Sequence, residues 1–197
     1  MNISACKISV VIPCYNAARW VADALRSVAA QSYAPHEIIV VDDGSTDDSV
    51  HVIESCGVPV QLLHTPRVNA AAARNAAVEA AEGEWIAFLD ADDRWYPNHL
   101  ERATRLLQAG SDVAFFSNMD LVDEAGKVTP ARNPWPLAGP TPGLTHQQCI
   151  DFWQIKRNFH SLITIVARRD RLLEIGGFDA TQVKAHDVEM WLRMIHG

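Results

Sequence analysis

The 197 residues of this chain are 48% hydrophobic and 21% charged, an ordinary balance for a globular domain with a substantial core. A formal charge of −7 gives nucleic-acid binding no electrostatic support, and it repels a nucleotide too unless a cation or a local arginine intervenes. Cys6, Cys14, Cys56 and Cys149 form no CxxC pair, residues 1–7 do not resemble a signal peptide, and no apolar run approaches the roughly 20 residues of a membrane span. A soluble cytosolic domain with reduced thiols is expected.

Short apolar runs alternate with helical patterns, which predicts βαβ units around a mainly parallel sheet. A first strand is expected over residues 8–13, then a helix with Val21, Ala24, Leu25 and Val28 on one face. A second strand covers residues 37–41. Ser45 or Thr46 then caps a helix whose first turn holds Asp47 and Asp48, at the positive end of its dipole. A third strand lies near residues 60–64, before an Ala-rich helix over residues 70–81 that can approach the sheet closely.

A fourth strand is expected at residues 84–89. Pro97 opens the next helix, which turns Leu100, Ala103 and Leu107 inward. A fifth strand follows at residues 113–117. Five of the ten prolines fall within residues 130–142, a long irregular loop of the kind that is usually functional. A helix near residues 146–154, a strand near 162–167 and a helix near 169–175 build a second half. The last helix carries Val188, Trp191, Leu192 and Ile195 at helical spacing, and the chain is expected to be truncated soon after it.

The first three apolar strands with chemistry at their ends stop at polar or acidic residues, where an open α/β sheet binds its ligands. Asp90-Ala91-Asp92-Asp93 sets Asp90 and Asp92 to converge on one point, with oxygen ligands suited to Mg²⁺ or Mn²⁺. The same residues also fit a turn with helix-capping aspartates. Asp42-Asp43-Gly44-Ser45 offers carboxylates to a base imide or to ribose hydroxyls, or else forms an Asp-Gly turn with an N-cap. Pro13-Cys14-Tyr15-Asn16 puts a ring and an amide beside the same base, or else is a strand-terminating turn. Arg74 reaches toward base or diphosphate, or is a solvated helix charge. Asp187 begins a helix that favours its ionised form, which suits a general base, or else it is a helix N-terminal charge with no reactive role; His186 beside it tunes that carboxylate, binds acceptor or is structural.

On these segments the chain resembles the family 2 glycosyltransferases of the GT-A fold. The likeness runs through Val10-Val11-Ile12-Pro13-Cys14-Tyr15-Asn16, Val41-Asp42-Asp43-Gly44-Ser45-Thr46-Asp47, Ala73-Arg74-Asn75, Phe88-Leu89-Asp90-Ala91-Asp92-Asp93, Gly176-Gly177-Phe178-Asp179 and residues 187–192. It implies an α/β fold with a Rossmann-like, mainly parallel central sheet flanked by helices. It also implies one catalytic domain over residues 1–197, with a donor half at about 1–120 and an acceptor half at about 121–197.

The activity implied is inverting transfer of a sugar from a UDP, dTDP or GDP donor to a sugar, lipid-linked or other hydroxyl acceptor, with Mn²⁺ or Mg²⁺. By resemblance, Asp42 contacts the base, Asp90 the ribose and Asp92 the metal, while Pro13, Tyr15, Asn16, Asp43, Arg74 and Ala91 complete the donor side. Asp187 is the catalytic base. Gly176, Gly177, Phe178, Asp179, His186 and Trp191 face the sugar and acceptor. The setting implied is polysaccharide, lipopolysaccharide or other glycoconjugate assembly in the cytoplasm at the inner face of the membrane, with membrane association through a missing C-terminal segment and no nucleic-acid partner.

Three departures stand out. His186 occupies the position where the family commonly carries an acid beside its base, Arg67-Val68-Asn69 replaces the usual Asn-x-Gly, and the chain ends just after the base-bearing helix. A non-catalytic nucleotide-sugar-binding domain of the same fold is the alternative, and retention of the carboxylates argues against it. A sugar nucleotidyltransferase ranks last, because residues 13–19 contain no glycine for a phosphate loop.

Overall fold

The computed structural model describes residues 6–108, 114–116, 120–123, 127–129, 164–182 and 186–196. In chain order the elements are β1 (Ile8–Cys14), α1 (Val21–Ala29), β2 (Glu37–Asp42), α2 (Ser49–Ser55), β3 (Gln61–His64), α3 (Ala70–Ala80) and β4 (Trp85–Phe88). They continue with α4 (His99–Gln108), β5 (Ala114–Phe116), β6 (Leu121–Val122), β7 (Val128–Thr129), β8 (Ile165–Arg168), α5 (Arg169–Glu174) and α6 (His186–His196). The expected helix at residues 146–154, the proline-rich loop at 130–142 and Cys149 lie outside the described residues.

Six strands form one sheet in the order β3-β2-β1-β4-β8-β5, and β6 pairs with β7 apart from it. β1 runs parallel to both neighbours, with Val10 opposite Ile38 of β2 and Ala87 of β4. β8 is antiparallel to β4 and β5. Every residue of β1 is buried, as expected for a central parallel strand covered on both faces.

Alternation along β1 supplies two cores. Val10 and Ile12 pack under Leu25 and Val28 of α1 and Leu100 of α4. Val11 faces Ala73 and Ala77 of α3, with Leu172 of α5 and Met190 of α6 in the same core. The inward faces expected for α1 and α4 are fully or nearly fully buried. None of the described helices is long and apolar enough to cross a membrane.

Local differences have physical causes. The second helix begins at Ser49 rather than near Ser45, because the side chains of Ser45, Asp47 and Ser49 are engaged with the β1–α1 turn. Ala17 N donates to Ser49 Oγ at 2.8 Å and Ala18 N to Asp47 Oδ2 at 3.1 Å. The fourth helix starts two residues past Pro97, whose carbonyl accepts from Ser32 N at 2.7 Å. In α6 the described buried stripe is Met190, Trp191 and Met194, while Leu192 is 38% exposed. Arg193 sets that rotation: it pairs with Glu189 and donates to the carbonyls of Ile175 and Gly177.

Candidate active site

A pocket opens at the carboxyl edge of β1, β2 and β4, where the strand order turns back on itself. β1 and its turn contribute Pro13, Tyr15 and Asn16, and the stretch after β4 contributes Asp90, Ala91 and Asp92. Asp43 lines it from just past the end of β2, and Arg74 from α3. Of the donor-side residues expected from sequence, only Asp42 is missing from its walls. Trp20, 44% exposed, lines it too. No motif flagged this tryptophan; an exposed indole in the first turn after a functional strand end was the available signal.

The adjacent aspartates divide their work. Asp42 accepts from Ser45 N at 3.3 Å and sits 3.6 Å from His64 Nδ1, so it closes the turn and does not line the pocket. Asp43 is 4% exposed, lines the pocket, and accepts from Thr65 Oγ1 and Val68 N. Of the two, Asp43 is the one that lines the pocket. Asn16 holds the facing turn in a left-handed conformation (φ 48°), which asparagine tolerates. Its Oδ1 accepts from Thr46 N at 2.8 Å, and its own N–H donates to Ser45 Oγ at 3.0 Å.

Arg74 is not a solvated charge. It is 5% exposed and lies between the two halves of the fold. Nη2 donates to Asp90 Oδ1 at 2.5 Å, and Nη1 donates to His186 Nε2 at 2.9 Å. The guanidinium also lies 5.8 Å from the Phe178 ring, which makes a T-shaped contact with Phe88. Burial and the Arg74 charge lower the His186 pKa, with Asp187 and Asp90 pulling the other way. The imidazole is therefore neutral at pH 7, with Nε2 as acceptor. Asp187 follows it in the first turn of α6, and no hydrogen bond among the described residues occupies its carboxylate.

Acidic crowding marks the other wall. Burial, then the charges of Asp90 and Asp92, push the Asp93 carboxyl up to about 6. No three His, Cys, Asp or Glu side chains among the described residues converge as a complete metal shell. Asp90 and Asp92 beside an open pocket nonetheless fit a hard divalent cation, which commonly takes one or two carboxylates and completes its shell with substrate phosphates and water.

The Gly176-Gly177-Phe178-Asp179 turn is fastened to α3. Asn75 Nδ2 donates to Phe178 O and Asn75 Oδ1 accepts from Phe178 N, both at 2.8 Å. Gly177 has φ +66°, and a Cβ there would lie 2.5 Å from Asn75 Oδ1. Phe178 and Trp191, expected on the acceptor side, are 2% and 4% exposed and belong to the core beneath the site. Both lie in the core that also holds Ala73 and Ala77 of α3 and Leu172 of α5. Asp179 accepts from Thr181 N and Oγ1 and caps that turn away from the pocket.

Residues 9–174 match the model for glycosyl transferase family 2. The chain belongs to that family. The amylovoran biosynthesis glycosyltransferase AmsB of Erwinia amylovora is 30% identical over 198 residues, covering 94% of this chain and 62% of AmsB. The first curated relatives matched, all bacterial glycosyltransferases, are spanned over only 20–38% of their lengths.

Two solved structures share the fold. TarS 1-349 of S. aureus in complex with UDP-GlcNAc superposes with a TM-score of 0.77 at 23% identity, covering 96% of this chain and 53% of TarS. The mannosyltransferase PcManGT of Pyrobaculum calidifontis, in complex with GDP-Man and Mn²⁺, gives 0.69 at 21% identity, covering 98% and 52%. This family 2 chain thus has the GT-A fold. The family match ends at residue 174, so the Gly-Gly-Phe-Asp turn and Asp187 lie beyond it.

Proposed function

We propose that this family 2 chain carries the donor site and catalytic base of an inverting glycosyltransferase that moves a sugar from a nucleotide diphosphate sugar to an acceptor hydroxyl. The observation that carries the reading is Arg74: buried, it joins Asp90 of the donor pocket to His186, the residue before Asp187. The base-bearing helix is thereby held against the pocket where a donor would sit.

In this reading Asp43 receives the nucleobase, since it, and not Asp42, lines the pocket. Asp90 orients the ribose and is itself oriented by Arg74. Asp92, with Asp90 beside it, would hold Mn²⁺ or Mg²⁺. A cation bound there neutralises charge on a diphosphate. Asp187 removes the proton from the acceptor oxygen as that oxygen attacks the anomeric carbon, and one displacement inverts the configuration. His186, kept neutral, adds no positive charge beside Asp187.

The relation to AmsB, named for amylovoran biosynthesis, supports a setting in cell-surface polysaccharide or other glycoconjugate assembly. We place that work in the cytoplasm, at the inner face of the membrane. Asp187→Asn tests the reading. Transfer should fall by at least a thousandfold while nucleotide affinity stays within threefold, and the product anomer read by NMR should be opposite to the donor's. Transfer that survives the substitution removes Asp187 from this role.

A further inference from the structure

Asp43 meets the pocket with half of its hydrogen-bonding capacity already committed. Its Oδ1 accepts from Thr65 Oγ1 at 3.0 Å and from Val68 N at 2.9 Å, which occupies both lone pairs of that oxygen. No hydrogen bond from the described residues falls on Oδ2. The carboxylate cannot swing to offer both oxygens without abandoning two donors, one of them a backbone N–H.

Bases differ in the donors that their hydrogen-bonding edges present. Guanine offers N1–H and N2–H side by side and engages a carboxylate fully only when both oxygens are free. Uracil and thymine offer a single N3–H between two carbonyls. One oxygen satisfies that edge. A guanine placed here would aim its amino group at the saturated Oδ1, and an unmatched polar group in a site built for another edge is strongly selected against.

Arg67 completes the edge. Gly44, at φ +73°, is packed so closely that a Cβ there would lie 3.3 Å from Arg67 Cβ, so the arginine stem rises directly over the Asp43-Gly44 turn. Its guanidinium carbon lies 3.0 Å from the centroid of the Tyr15 ring, another pocket residue. A planar cation held on that ring brings N–H donors to the rim, where a carbonyl beside N3–H can accept them. The single free oxygen carries the discrimination; the arginine adds binding.

We propose that this site selects a uracil or thymine nucleoside diphosphate over a guanosine one, because Asp43 has one oxygen left to receive a base N–H. The inference rests on the nucleotide-sugar reading above and specifies its base.

Calorimetric titration of the chain with UDP, dTDP, CDP and GDP, each with Mn²⁺, tests it. UDP or dTDP should bind at least tenfold more tightly than GDP. Thr65→Val, which releases one lone pair of Oδ1, should narrow that gap by strengthening GDP. Asp43→Asn keeps an oxygen for Thr65 and Val68 and turns an amide N–H toward the base. It should weaken UDP at least tenfold and shift preference toward CDP, whose N3 accepts. GDP or CDP binding as tightly as UDP and dTDP to the unsubstituted chain overturns the base assignment and leaves a nucleotide site standing. Unchanged UDP affinity in Asp43→Asn also overturns it. A folded chain that binds none of the four overturns both this inference and the donor reading.

Discussion

Arg74 Nη1 donates to His186 Nε2 at 2.9 Å, so a side chain of α3 in the donor half grips the first residue of the helix that carries Asp187. The bond requires a lone pair on Nε2 and therefore a neutral imidazole. Protonation turns Nε2 into a donor facing a guanidinium, and the grip becomes a repulsion between two cations.

Transfer should consequently fall on the acid side. The His186 pKa is lowered from its ordinary value, first by burial and then by Arg74. The neutral form is thus fully present above about pH 6.5, the unperturbed histidine value, and is lost as pH drops through the lower folded value. His186→Gln keeps an acceptor for Arg74 without a titration. A pH profile of kcat/KM should show a flatter acid limb in the variant; an identical limb would detach His186 from the effect.

Removing the guanidinium itself should cost more. Arg74→Met leaves the Asp90 carboxylate without its cation, and the side chain of Asp90 is 34% exposed. That exposure softens the roughly 3–5 kcal/mol typical of breaking a fully buried pair, to about 2 kcal/mol. Urea unfolding should register the loss, and UDP affinity should fall with it.

Asp93 makes the acidic wall unstable at neutral pH. Its folded pKa of about 6 lies above the ordinary carboxylate value of 3.8, so the fold disfavours its ionised form. Stability from this group is greatest below the ordinary value and is lost as pH rises through 6. Asp93→Asn should therefore stabilise the cation-free protein at pH 7 by on the order of 1–2 kcal/mol. Thermal melts with and without Mn²⁺ check this: the gain from substitution should shrink when the cation is present.

His99 works in the opposite direction. It is 7% exposed, stacked on Trp95 at 4.5 Å, and its pKa is lowered to about 4 by burial and by Arg102. The unfolded chain takes up this proton first, so stability is complete above pH 6.5 and declines as pH falls toward 4. The loss should be about 3 kcal/mol at the acid end. His99→Phe preserves the stack and should flatten urea midpoints between pH 6.5 and 4.

Asn75 should prove a structural asparagine. Asn75→Ala strands the N–H and carbonyl of Phe178, two bonds of 2.8 Å, at a cost of about 2–4 kcal/mol. Circular dichroism melts would measure it. Restoration of full stability by a second change far from Phe178 alone would argue that those bonds matter little.

The elements nearest the pocket were legible because local patterns specify them. The run of residues 8–14 is apolar throughout and becomes a central strand, while Val21, Ala24, Leu25 and Val28 recur at the helical period and are all buried. The strand ends placed Tyr15, Asp43, Asp90 and Asp92 at one sheet edge, a consequence of parallel topology that needs no contact information. The rotation of α6 was not legible. Trp191 and Leu192 look equivalent in a hydropathy pattern, and only the bonds from Arg193 to the carbonyls of Ile175 and Gly177 decide which one turns inward.

The amino-acid sequence by itself determined the alternation of strands and helices and brought the carboxylates to one edge of the sheet, because both follow from periodicity and chain order. The tertiary structure alone decided that Asp43 and not Asp42 faces the pocket, that Arg74 is buried between Asp90 and His186, and that Phe178 and Trp191 serve the core. Each of those outcomes depends on partners tens of residues away: Thr65 and Val68 for Asp43, α6 for Arg74, and α3 for Phe178. A short window of sequence records which groups a residue carries, but hydrogen bonds across such separations exist only once the sheet has brought their donors and acceptors together.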